Sequence, residues 1–341
     1  MKKPSISLLL WCMTVLAGTW GFTSSPAVAD DYPDHSLRIV VGYGPGGGSD
    51  RTTRTLQKYL EKQFGKEVVV ENMAGAGGLV AQTALARSKA DGYMLTNINF
   101  PAFAYGVVMQ KPPFTFKDLI PMWVEVCDPI ILAVKKESPW NDFADFVKAV
   151  KDAPGKYSVS VASMGGQHAN ALWLRKNLGL DYKIVPYNSG GEAASALLGG
   201  HVDAVFGDAV SRADMRDLLK SLAVVDDKPN PIWPEGKPLY EQLEQFKVEL
   251  PVKAFQARFG AYWIKAEFKE KYPDRYKKLV DVFKAATSDP EYKEMAEKSG
   301  ITPSLLNVEG TGLDGGFNYQ ASFEKEYSVI ESDIVPLFEQ K

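Results

Sequence analysis

The chain has 341 residues, 45% of them hydrophobic, with 39 Lys and Arg against 42 Asp and Glu for a net charge of −3. That length suffices for two domains, and an acidic balance with no basic patch argues against a nucleic-acid partner. Two cysteines and three histidines supply neither a disulfide framework nor a metal-ligand cluster.

In chain order, residues 1–29 read as a secretory leader. Lys2 and Lys3 precede the apolar run Ile6–Ala17, and Ala27-Val28-Ala29 forms a small-residue cleavage site after Ala29. The run is too short and too interrupted to span a bilayer, so an exported protein without membrane insertion is expected. Cys12 lies in that leader. Cys127, in EVCDPIILAV, reads as a small buried residue.

The stretch SLRIVVGYGPGGGSD then sets the pattern for the chain. Leu37–Val41 is apolar and β-branched and predicts a buried strand. Gly42–Gly48 is a glycine-rich turn, and Arg51–Phe64 has helical spacing. Strand, glycine loop and helix together aim free backbone N–H groups at an anion, with Ser49 or Asp50 as the cap. Gly42-x-Gly44-x-x-Gly47 also spells a dinucleotide fingerprint, and Glu71 resembles its ribose-holding acid. On the motif alone, nucleotide, carboxylate and plain structural turn all stand. Export weighs against a nucleotide.

Glu67–Val70 predicts a second strand, Ala74–Gly78 a close-approach turn, Leu79–Ser88 a small Ala-rich helix and Met94–Ile98 a third strand. Asn97–Tyr105 reads as a polar-aromatic loop at a strand carboxyl end, where open α/β sheets bind ligands. Phe100, Phe103, Tyr43 and Tyr187 either wall an aromatic ligand or pack.

The order YPDHSLRIVVGYGPGGGSD, VVVENMAGAGG, DGYML resembles the substrate-binding subunit of tripartite tricarboxylate transporters, the TctC or Bug family. Asp50, Glu71, Asn72, Gly75, Ala76, Gly77, Gly78, Asp91, Gly92 and Tyr93 fall on that family's positions. Gly42 departs from its usual proline. The likeness continues through a strand at Ile130–Val134, a helix at Ser138–Val150, a strand at Tyr157–Ala162 and a helix at Ala169–Asn177. The loop Ser163–His168 is shorter than the family's. The block IVPYNSGGEAASALLGGHVDAVFGD gives a strand to Tyr187, a helix opening at Ser189–Glu192 and a strand Val202–Phe206 ending at Gly207-Asp208. Beyond it come a helix at Leu239–Phe246, a strand at Arg258–Ile264, and helices at Lys269–Ala286, Pro290–Ser299 and Asn318–Ile330.

The resemblance implies a two-domain α/β periplasmic binding protein, a Venus flytrap hinged by two crossovers. Residues 30–129 with 255–341 form the expected first domain, and residues 130–254 the second. It implies a monomer in the periplasm that carries a small di-, tri- or aromatic carboxylate to membrane subunits of the tripartite tricarboxylate type, with no cofactor and no metal. A periplasmic sensor is the alternative, and an exported carboxylate-directed enzyme a further one, although no G-x-S-x-G or catalytic carboxylate spacing appears. The expected ligand-binding residues are Tyr43, Gly46, Gly47, Ser49, Asp50 and Asn99 on one side, and Ser163, Gly166, Gln167, His168, Tyr187, Ser189, Gly190 and Asp208 on the other. Arg51 and Arg54 are read as solvated or structural, because the family holds carboxylates through amides and bridging waters.

Overall fold

The computed structural model describes residues 31–46, 48–162, 165–187, 189–226, 229–251, 257–298 and 319–339. The expectations on the leader, on Gly47 and Ser163, and on the side chain of Cys127 lie outside these residues.

Two five-stranded sheets carry the fold. The first contains β1 (Leu37–Val41), β2 (Val68–Asn72), β3 (Met94–Phe100), β4 (Leu119–Asp128) and β10 (Arg258–Lys265), in the order β2-β1-β3-β10-β4. The second contains β5 (Ile130–Lys135), β6 (Ser158–Ala162), β7 (Lys183–Tyr187), β8 (Ala204–Asp208) and β9 (Leu219–Val224), in the order β7-β6-β8-β5-β9. The two orders have one topology. In each sheet three strands run parallel, and the fourth in line enters antiparallel. That fourth strand arrives from the other sheet. β4 leads into β5 across the single residue Pro129, and β10 returns the chain to the first sheet. This is the two-domain α/β architecture with two crossovers.

Parallel strands need covered faces, and the sequence supplies the covers. α1 (Gly48–Phe64) buries Thr53, Leu56, Tyr59, Leu60 and Phe64, and α9 (Pro273–Ser288) and α10 (Pro290–Lys298) pack beside it. On the opposite face, α2 (Leu79–Arg87) and α3 (Ala102–Gln110) meet an aromatic core. There Phe100 stacks on Phe323 of α11 (Tyr319–Val329) at 4.1 Å, and Phe103 meets Trp263 edge-on at 4.8 Å. The buried Trp263 donates from Nε1 to Ile98 O at 2.8 Å, which satisfies its polar edge inside the core. In the second sheet α4 (Phe143–Asp152), α5 (Gly166–Leu178), α6 (Gly190–Leu198) and α7 (Leu239–Glu244) play the same part.

Three local readings change. Ala102–Gln110 is a helix rather than a loop, and Leu119–Asp128 is a strand that starts where a loop was expected. The span expected as one helix from Lys269 divides into α8 (Ala266–Lys271) and α9, parted at Tyr272 because Pro273 opens the second at its first turn.

Gly42, where the family's proline is absent, has a physical reason here. A Cβ at Gly42 would stand 2.0 Å from Ile98 Cδ1 and 3.0 Å from the Gly78 backbone, and its N–H donates to Asn97 O at 3.2 Å. Gly42→Ala is expected to lower stability by about 1–3 kcal/mol through overpacking. Adding Ile98→Val, which deletes the obstructing methyl, should recover part of that loss. Urea unfolding of the single and double variants checks it; equal stability of Gly42→Ala and wild type would refute the close-packing account.

Candidate functional site

The carboxyl ends of β1–β3 in one sheet and of β6–β8 in the other converge where the chain crosses between the sheets. The switch point of an open parallel sheet leaves a crevice at such edges.

The first loop is held from beneath. The Asp50 carboxylate, 3% exposed as a residue, accepts from Gly46 N (2.8 Å), Asn72 Nδ2 (2.8 Å) and Arg54 Nε (2.9 Å). Burial pushes this carboxyl up, but the bonds from Gly46, Asn72 and Arg54 outweigh it and hold the pKa below the usual range. Asn72 also donates to Tyr43 O at 3.0 Å, and Arg51 Nη1 donates to Gly46 O at 2.6 Å. Gly46 sits at φ +75°, which a side chain would strain. Asp50 and Asn72 therefore fasten the loop, and Arg51 and Arg54 are structural. Glu71 pairs with Arg38 at 2.6 Å on the surface, so it is not turned to a ribose.

Tyr43 Oη accepts from Asn99 N at 3.1 Å, and Ser49 Oγ lies 3.4 Å from Asn99 Oδ1. These three residues form the wall beside the loop. Burial pushes the Tyr43 phenol up to about 12, although neighbouring Arg258 draws it down. Phe100 and Phe103 are fully covered in the core, which leaves them the packing role.

In the second lobe Gly166 opens α5, and the next residue, Gln167, donates from Nε2 to Asp208 Oδ1 at 2.5 Å. Ser189 caps α6 by accepting from Glu192 N at 3.2 Å, with Tyr187 and Gly190 half-buried on either side. His168 is placed differently. Its ring meets Phe338 of α12 (Val335–Glu339) edge-on at 4.6 Å, while Phe338 meets Tyr105 of α3 at 5.7 Å. His168 thus joins a contact between the lobes, and its Nδ1 is buried without a hydrogen-bond partner among the described residues.

Three residues that sequence reasoning did not single out complete the centre. Arg258 Nη2 donates to Asp128 Oδ2 at 3.0 Å, and Arg258 Nε lies 3.8 Å from Asp208 Oδ2. The fully buried Asp128 also accepts from Val210 N at 2.8 Å and from Ser211 Oγ at 3.3 Å. Arg212 follows, with its Nε buried. Burial, then the charge of Asp128, raises the Asp208 carboxyl to about 7 against the pull of Arg258, Arg212 and Gln167. A signal for this cluster existed in Asp128-Pro129, an acid at the crossover, but its partners lie far along the chain.

Beside the cluster a cavity of about 570 Å³ opens between the lobes. Gly48, Arg51 and Thr52 of α1, Arg258 of β10, and Ser211 and Asp214 of the second lobe are among its walls. None of the described residues expected from sequence lines it.

The family model described as "Tripartite tricarboxylate transporter family receptor" matches residues 52–311. BugT of Bordetella pertussis is 30% identical over 59% of this chain; the match spans 62% of that relative. A ligand-free TctC solute binding protein from Polaromonas superposes with a TM-score of 0.74 at 18% identity, covering 91% of this chain and all of the other. MatC from Rhodopseudomonas palustris with bound malate superposes with a TM-score of 0.66 at 21% identity, covering 89% and 100%.

His168 and Asp208 make opposite contributions to the pH dependence of stability. Burial, and secondarily Arg175, lower His168 from 6.5 to about 4. Between those values the unfolded chain binds more protons, so this contribution to stability rises with pH. Asp208, raised from 3.8 to about 7, binds more protons when folded, so its contribution falls as pH rises through that window. His168→Gln is expected to gain on wild type as pH is lowered from about 6.5 toward 4, and Asp208→Asn to gain as pH rises toward about 7. Urea unfolding across pH measures both; pH-independent differences from wild type would show that neither group titrates in this manner.

Proposed function

The chain belongs to the tripartite tricarboxylate transporter receptor family, and from that premise we propose that it is a periplasmic solute-binding protein which captures a small organic carboxylate between its lobes and delivers it to a transporter of that type. The observation that carries the reading is the convergence of two strand-loop-helix edges on Arg258 at the crossover, with a cavity of about 570 Å³ between the lobes. Amides at the start of α1 and of α6 suit a carboxylate, since helix N-termini carry partial positive charge.

In this reading residues 30–129 with 255–341 and residues 130–254 are the two jaws. The ligand touches both, because only a ligand with different affinity for open and closed forms shifts that equilibrium. Beside that cavity, Tyr43, Gly46, Ser49 and Asn99 supply the first edge of the proposed site, with Asp50 holding it in shape. Gly166, Gln167, Tyr187, Ser189, Gly190 and Asp208 supply the second. The solute leaves chemically unchanged. The malate in the MatC neighbour supports a carboxylate as the first class to screen.

Gly48 offers a clean test, because it lines the cavity and a Cβ there meets nothing within 4 Å. Gly48→Val should fold normally yet bind its carboxylate about tenfold or more weakly, a loss of about 1.4 kcal/mol. The measurement is a thermal-shift and calorimetric screen of mono-, di- and tricarboxylates, with scattering to follow compaction on binding. A wild-type protein that binds none of them, or binds without compaction, would refute the reading.

A further inference from the structure

We propose that Arg212 reads the charge of the ligand from the second lobe, its guanidinium donating to a ligand carboxylate at the first turn of α6. This rests on the carboxylate-binding reading above and names the side chain that gives it specificity.

The placement is unusual for a structural arginine. Arg212 lies on the 3₁₀ turn Val210–Met215 that follows β8. Its stem runs over Gly207, where an added Cβ would stand 3.2 Å from Arg212 Cγ. Its tip reaches Gly190, where a Cβ would stand 3.1 Å from Arg212 Nη2. Two glycines thus make room for one side chain, which brings its guanidinium to the N-terminal end of α6. That end is already positive, so the arrangement places two positive features together.

Glu192 stands in the same first turn, and Asp208 lies within electrostatic reach of Arg212. Among the described residues Arg212 Nε is buried with no hydrogen-bond partner and the guanidinium makes no ion pair. A buried donor on a charged group left unbonded is expensive. Asp208, which feels the charge of Arg212, is already bonded to Gln167 at 2.5 Å and lies 3.8 Å from Arg258. The other arginines of the region have ion-pair or backbone partners: Arg51 on Gly46 O, Arg54 on Asp50, Arg258 on Asp128 and Arg216 on Glu235, although Arg216 Nε, like Arg212 Nε, is buried without a bond among the described residues. An anion that enters between Arg212 and the α6 amides meets a guanidinium and backbone N–H donors together. A neutral amide of the same shape gains no charge-assisted bond there, so the site selects the ionised acid.

The experiment titrates wild type, Arg212→Gln, Arg212→Lys and Gly190→Ala with mono-, di- and tricarboxylates that include malate and adipate, and with adipamide as the neutral control. Arg212→Gln should weaken carboxylate binding by about ten- to a hundredfold, with Arg212→Lys between it and wild type. The fall in affinity from low to high salt should be shallower in Arg212→Gln, since one screened charge is gone. Gly190→Ala should also weaken binding, because its methyl displaces the guanidinium. Combined with Arg212→Gln it should add little, the non-additivity expected of one shared contact.

If wild type binds a carboxylate and Arg212→Gln binds it equally well with the same salt dependence, the role of Arg212 is overturned while the carboxylate reading stands. If no acid binds wild type, the reading fails and the inference falls with it. Should Arg212→Gln fail to fold, Gly190→Ala with full affinity overturns the proposal instead.

Discussion

One carboxylate organises the junction between the lobes. Asp128 is fully buried at the end of β4, one residue before the second sheet begins, and it gathers a guanidinium from β10 and an N–H and a hydroxyl from the turn after β8. Removing either side of such a pair leaves a buried charge uncompensated, at about 3–5 kcal/mol. The outgoing crossover, the returning strand and the second lobe are thereby pinned to one point. The looser 3.8 Å approach of Asp208 to Arg258 is a contact that a small rotation can lengthen without orphaning Asp128. Strong directional bonds at the junction and a weaker one beside it suit a hinge.

The first loop shows why a binding edge is built partly from residues that never face the crevice. Asp50 and Asn72 sit in two of the sequence blocks that mark the family, and in the structure they bond to one another, to Arg54 and to the loop backbone. A loop so fastened has lost its freedom before a ligand arrives, which reduces the ordering entropy that binding must overcome. The motif therefore records loop stiffness as much as ligand contact, and motif reasoning from sequence does not separate the two.

That limit divides what the chain disclosed from what it hid. Strands such as Leu37–Val41 and turns such as Gly75–Gly78 were legible because β-branched runs and glycine clusters are local signals. β4 was only partly legible because Pro121 interrupts its apolar pattern; the strand lies at the sheet edge, where proline is tolerated. α3, AFAYGVVMQ, is apolar nearly all round and shows no amphipathic face to detect, since it lies between the sheet and other helices. The ionic centre was hidden for a different reason. Arg258 and Asp128 are 130 residues apart, and nothing in the neighbours of either foretells the other. His168 shows the same blindness in reverse: its place beside a small-residue loop suggested a ligand contact, while a phenylalanine near the other end of the chain decided its surroundings.

The C-terminal segment adds a third link of a different kind. Phe338 stands between Tyr105 on the first lobe and His168 on the second, meeting both rings edge-on. Such contacts lose little when rings slide over one another, because dispersion and apolar burial are non-directional. Hydrogen-bonded ion pairs lose much over the same displacement, because they weaken steeply with angle and distance. The molecule thus places directional interactions at the crossover and non-directional ring contacts at Phe338, a division that suits the proposed closure. A polar contact at Phe338 would resist the proposed closure, and an apolar one at Asp128 would leave the pivot undefined.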